Sequence, residues 1–163
     1  MSAYRINKAV NLTLVMELDV QIGPPEKVGH CVDGYRINYP IMGGYFSGQG
    51  IGGIVLPSGT DHYRLRPDGV GELDARYSLL TDRGEIINVH NMGLLFMTEE
   101  GKSMEKVNIW PLPEEHYHCT CSPRFYAPDG ELSWLNQEVF IALVNYPVAN
   151  RVSIRCFSLR SEY

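Results

Sequence analysis

Polar and apolar residues alternate with period two between a pair of tight turns in the run Asp61–Gly93, DHYRLRPDGVGELDARYSLLTDRGEIINVHNMG. Leu73, Ala75, Tyr77 and Leu79 fall on one side of the alternation, and Glu72, Asp74, Arg76 and Ser78 on the other. That is the spacing of a strand with two unlike faces. Pro67-Asp68-Gly69 and Thr81-Asp82-Arg83-Gly84 bracket it. Proline presets φ, aspartate bonds its own backbone and glycine accepts a positive φ, so each is a turn with a mechanism. The stretch is a three-strand antiparallel meander, and the rest of the chain must supply its partners.

It supplies them in short pieces. Asn11 to Ile22 places Leu12, Leu14, Met16, Leu18, Val20 and Ile22 on one face, a long first strand. Gly23-Pro24-Pro25 stops it, because consecutive prolines cannot donate to a ladder. Tyr35 to Ile41 alternates again, with Pro40 marking an edge or irregularity. Gly43 to Gly53, GGYFSGQGIGG, has the glycine density of a sheet that bends on itself. Ile54-Val55-Leu56 is a short strand before Pro57. Met97 to Lys106 is polar and reads as a surface loop. Tyr117 to Ser122, Glu138 to Tyr146 and Arg151 to Leu159 are extended, and Glu131 to Gln137 is a helical turn carrying Trp134 inward. Eight to ten short strands with no long helix indicate a sandwich or a closed barrel. The glycine-rich bend favours the barrel, since curvature needs glycine or bulges. The expectation is an all-β fold, a single closed antiparallel barrel of lipocalin-like (calycin) form, in one domain over residues 1–163.

Composition narrows the partners. A net charge of −5 without clustered Lys and Arg gives no footprint for nucleic acid. No apolar run reaches the roughly 20 residues of a membrane helix. The N-terminus, whose apolar centre Glu17 and Asp19 interrupt, lacks a signal-peptide pattern, so a cytoplasmic location is expected. Cys31, Cys119, Cys121 and Cys156 show no scaffold spacing and are expected to be reduced.

Several motifs carry chemistry, each with a plainer alternative. Gly48-x-Gly50-x-x-Gly53 matches a dinucleotide fingerprint in letters only. Ile54-Val55-Leu56-Pro57 follows it where that chemistry needs a helix, so its glycines are read as curvature. His116-x-His118 could present two imidazoles on one strand face, with His90 as a distant third ligand. Hydrogen-bonded or surface histidines are the simpler account, and no metal or cofactor is expected. Asp61 shares a face with Tyr63 and Leu65, where desolvation would raise its pKa, or else it caps the Ser58-Gly59 turn. Asp74 and Arg76 share a face and form either an interior polar pole or an exposed ion pair. Tyr39, Tyr77 and Trp134 are core residues or a ligand wall.

The meander, extended to LPSGTDHYRLRPDGVGELDARYSLLTDRGEIINVHNMG, resembles the DUF3237 (UPF0311) family of proteins of unknown function. Gly23-Pro24, Gly43-Gly44-x-Phe46-x-Gly48, Gly53, Pro123-x-Phe125 and Trp134-Leu135-Asn136 continue the resemblance from about Val20 to the C-terminus. It implies a small antiparallel barrel, often a homodimer, with no established common activity. Asp61, Asp74, Arg76, Tyr77, Asn91 and Gly93 match the family pattern, and on that ground Asp74 and Arg76 are expected inside. His62 stands where tryptophan is usual, Cys119 where a basic residue is frequent and Tyr126 where an acid is usual, while Thr98 to Pro113 resembles an enlargement. These departures imply a retuned pocket.

Together these readings give a barrel that binds a small apolar or aromatic molecule and catalyses a cofactor-free isomerisation, cyclisation (including pericyclic) or lyase step. Asp61 or Asp74 would carry the proton, with Arg76, Asn91 and His118 orienting the substrate. Tyr39, Tyr77, His90 and Trp134 would contact it. The alternative is a non-catalytic carrier using the same cavity.

Overall fold

A computed structural model describes residues 10–161. The two ends of the expected 1–163 domain, including most of the N-terminal segment read as lacking a signal peptide, lie outside the described residues. Ten strands follow one another: β1 (Val10–Ile22), β2 (Glu26–Cys31), β3 (Gly34–Gly48), β4 (Ile51–Val55), β5 (Thr60–Leu65), β6 (Gly71–Thr81), β7 (Ile86–Met97), β8 (Tyr117–Tyr126), β9 (Val139–Val148) and β10 (Arg151–Ser161). The meander is as expected: β5, β6 and β7 pair in sequence, and Gly69 and Gly84 take φ of 83° and 88° in the two turns.

β1 pairs β10 on one side and β3 on the other, which closes the sheet into a barrel. β4 and β5 together fill one position between β3 and β6, end to end, so the closed wall has eight positions among the described residues. β2 pairs only with the first half of β3 and stands outside the closure as a hairpin. Closure removes the unpaired edges that an open sheet leaves available. No helix among the described residues is long and apolar enough to cross a membrane.

The glycines enforce curvature as the sequence implied. At Gly43-Gly44 both residues have positive φ, and the register of β1 against β3 slips there. The slip inverts the alternation of β3: Ile41 is inside before it, and Phe46 is inside after it while Tyr45 is 72% exposed. Gly48 and Gly53 are needed for close approach, because a Cβ at either would overlap the carbonyl of Val15 or of Leu80. The dinucleotide letters are thus two crossings of a tight wall, joined by the β3–β4 turn.

One expectation is corrected. Residues 99–106 are not a surface loop but a helix, α1 (Glu99–Lys106), capped by Thr98, whose hydroxyl accepts from the Gly101 amide at 3.1 Å. Glu99 and Glu100 in its first turn and Lys106 in its last suit the helix dipole. After α1 the chain returns over one mouth of the barrel, through Asn108 and Trp110.

The two ends of the barrel differ. Leu79, Ile87, Phe125, Leu135 and Phe140 are buried and fill one end; Phe125 and Phe140 meet edge to face at 5.0 Å. The other end is hollow.

Candidate functional site

The hollow end holds a cavity of about 490 Å³. Its walls are the inward positions of β3, β5, β6 and β7, completed by β1, β8, β9 and β10 packing behind and across. Ile37, Ile41, Leu73, Leu95, Val144 and Ile154 make the lining mostly apolar. Among the described residues the polar side chains lining it are Asp61, Asn91 and the tyrosines Tyr35, Tyr39, Tyr63, Tyr77 and Tyr146, with Lys27, Glu105, Asn108 and the Trp110 indole toward the mouth.

Among the described residues Asp61 is the carboxyl group that the strands bring to the cavity. It does not cap the Ser58-Gly59 turn; its Oδ1 accepts the backbone N–H of Asp74 at 2.9 Å. Burial pushes its pKa up to about 6, opposed by that hydrogen bond and aided by the negative charge of Asp74. The cause is the one expected of an acid on an apolar face. Tyr39, cross-strand from Asp61, is pushed up to about 12, chiefly by burial, and its ring meets that of Tyr63 at 6.0 Å. Burial raises Tyr63, Tyr77 and Tyr146 as well, so these phenols stay protonated at neutral pH.

Asn91 is 3% exposed, and its Oδ1 has no hydrogen-bond partner among the described residues. A buried acceptor left unpaired costs on the order of 1–3 kcal/mol. Its amide lies against Cys121, whose thiol is held protonated by its neighbour Cys119 and by burial. The Tyr146 hydroxyl donates to Cys119 at 3.6 Å. The thiols of Cys119 and Cys121 therefore sit behind the lining, free and buried.

Other expected site residues lie elsewhere. Asp74 and Arg76 face outward, in step with Glu72 and Ser78, because Leu73, Ala75 and Tyr77 take the interior of the same strand. Asp74 is 46% exposed and pairs with His90 Nε2 at 2.8 Å, so His90 is also outside. His118 is exposed and stacks on Phe96 at 4.9 Å. His116 falls in a short 3-10 turn and meets Thr98, so the two histidines do not share a strand face. No group of three metal-ligating side chains occurs among the described residues. Trp134 does sit on a one-turn helix, Ser133–Asn136, but it packs on Phe140 at the filled end. Tyr39, Tyr77, Asp61 and Asn91 do come together.

The mouth contributes what sequence reasoning missed. Trp110 stacks at a tilt on Tyr146, 5.0 Å between centroids, and Tyr117 hydroxyl accepts the Tyr146 amide at 3.0 Å. Tyr63 could have been found, since it shares a face with Asp61. Trp110 had no such signal, lying in a segment broken by Pro111 and Pro113.

Two expected outcomes follow from these placements. Asp74→Asn, outside the cavity, should change stability by less than about 1 kcal/mol and leave ligand affinity within severalfold; melting and titration calorimetry check both. Gly93→Ala should destabilise by roughly 1–3 kcal/mol in chemical denaturation, because a Cβ there overlaps the Cys121 sulfur and crowds the Thr120 carbonyl at 2.5 Å.

Two relatives and one protein of similar fold place this barrel among known proteins. A UPF0311 protein of Rhodopseudomonas palustris is 34% identical, over 78% of this chain and 82% of its own length. The crystal structure of a conserved protein of unknown function from the same species superposes with a TM-score of 0.84 at 30% identity, covering 93% of this chain and 99% of that one. An enzyme from Penicillium herquei shares the fold, with a TM-score of 0.68 at 15% identity over 98% and 100% of the two chains. Over residues 10–159 the chain matches the model of the proteins of unknown function DUF3237, and it belongs to that family.

Proposed function

We propose that this barrel binds a small, largely apolar molecule in its open end and catalyses a cofactor-free proton transfer on it, as in an isomerisation, cyclisation or lyase step. The observation that carries this reading is Asp61: a carboxyl group held in an apolar cavity with a pKa near 6. At pH 7 such a group is mostly ionised yet markedly more basic than an exposed aspartate, and it returns the proton readily. The phenols of Tyr39, Tyr63 and Tyr77 can donate to an oxygen that gains charge as a neighbouring carbon loses its proton. The apolar walls hold the substrate still and keep water from the base.

Deuterium exchange tests this without knowledge of the natural substrate. β-Tetralone, an enolisable aromatic ketone of suitable size, should exchange its α-protons faster in the presence of the protein, followed by NMR in heavy water. The rate should rise with pH and level off above about 6, as Asp61 ionises. A carrier would bind β-tetralone with no exchange above the solution rate, and that result would sink the proposal.

A further inference from the structure

Two pieces of chain outside the closed wall add charge to the mouth of the cavity. One is β2, which brings Lys27; the other is the end of α1 and the segment after it, which bring Glu105 and Trp110. Glu105 is half-buried in the last turn of α1 and forms no ion pair among the described residues, while Lys102 of the same helix is engaged with Glu99. The Glu105 charge acts on the phenols of Tyr39 and Tyr63, so it is directed at the cavity. Asp61 acts on the same two phenols.

Nothing inside offsets these two carboxylates. Asp61 has one oxygen on the Asp74 amide and the other without a hydrogen bond among the described residues. No Arg or His of the described residues lines the cavity. Lys27 is exposed on β2, where salt and water screen its charge. The mouth also carries an indole, since Trp110 is held against Tyr146 at 5.0 Å. Carboxylate and indole both attract an ammonium, one by its charge and the other by the negative face of its ring.

We propose that the ligand of this cavity carries an ammonium group, held at the mouth by Glu105 and Trp110, with its apolar body extending inward to Asp61. This rests on the reading of the cavity as the site of a small, largely apolar substrate with Asp61 as its base. At the mouth the ammonium keeps part of its hydration, which the apolar interior would strip away at high cost. The placement also leaves Asp61 unpaired. A cation bonded to Asp61 would hold it ionised and remove the basicity that burial confers. An anionic ligand meets two like charges.

Calorimetric titration at pH 7.5 and low ionic strength tests the inference with three probes of one shape: naphthylethylammonium, naphthylethanol and naphthylacetate. The ammonium should bind about fivefold more tightly than the alcohol, and the acetate more weakly than either. Glu105→Gln should erase the margin of the ammonium and leave the alcohol within about twofold. Glu105→Lys should reverse the order of the two ions. An alcohol or acetate that binds wild type as tightly as the ammonium would overturn the inference. So would a margin that survives Glu105→Gln, which would put the ammonium elsewhere in the cavity. The outcome is separable from that of the exchange assay. Ammonium preference without β-tetralone exchange removes the catalytic reading alone, and exchange without that preference removes this inference alone.

Discussion

Asp61→Asn is expected to cost the protein its chemistry while making it more stable. As general acid–base the carboxyl supplies on the order of 10²–10⁴ in rate, and exchange of β-tetralone should fall by that factor. The stability change has the opposite sign. In the unfolded chain Asp61 titrates near the ordinary aspartate value of 3.8, and in the fold near 6. A raised folded-state value means that the folded protein holds the proton more tightly, so the Asp61 contribution to stability is fully present below pH 4 and is lost as the pH rises through 6. Asparagine keeps the oxygen that accepts the Asp74 amide and never ionises. Wild type and variant should therefore match below pH 4 and separate above pH 6, the variant being more stable by on the order of 1–3 kcal/mol. Denaturation at pH 4 and pH 8 reads this directly. A purely structural aspartate would give the reverse at pH 8, a loss.

Ala75→Leu has the second large effect. Ala75 is the small residue between Asp61 and Asn91, and a leucine there projects into open space rather than into packed atoms. The fold should tolerate it or gain slightly, by up to about 2 kcal/mol of apolar burial. A ligand lying over that position would collide with it. Forced repacking costs roughly 1–3 kcal/mol, so affinity for β-tetralone should drop about 10–100-fold while the melting temperature holds or rises. Equal affinity in the variant would move the ligand elsewhere in the cavity.

Much of the barrel was legible because two local signals agree with the global fold. In β6 every member of the apolar set Leu73, Ala75, Tyr77 and Leu79 is buried. The turns at Gly69 and Gly84, and the glycine run that bends β3 into β4, lie where their composition placed them. The same alternation already argued that Asp74 and Arg76 face out. Setting it aside on the strength of the family pattern put them wrongly inside, where the parity of one strand cannot hold both sets. His118 shows the same physics: it alternates with Tyr117 and Cys119, which are buried, so it must be outside.

Other features depend on contacts no local pattern encodes. Trp134 and Tyr39 are both partly buried aromatics, yet one seals the filled end and the other lines the open one. Which end is filled depends on how Phe125, Leu135 and Phe140 meet across strands distant in sequence. α1 was missed because Met104 is its one large apolar residue, too little to set a helical period. Its end signals, Thr98 before two glutamates and Lys106 at the close, were there to be read. Asn91 matched the family pattern, but only the closed barrel shows that its oxygen is buried without a partner.

The account depends on a desolvated acid facing an enclosed apolar space. Carbon-13 NMR of the side-chain carboxyls, with the Asp61 signal assigned by its loss in Asp61→Asn, measures that acid in the folded protein. A midpoint near 6, displaced when β-tetralone is added, is the predicted result. A midpoint near 3.8, unmoved by any probe, would mean that Asp61 is an ordinary solvated carboxylate and would contradict the account.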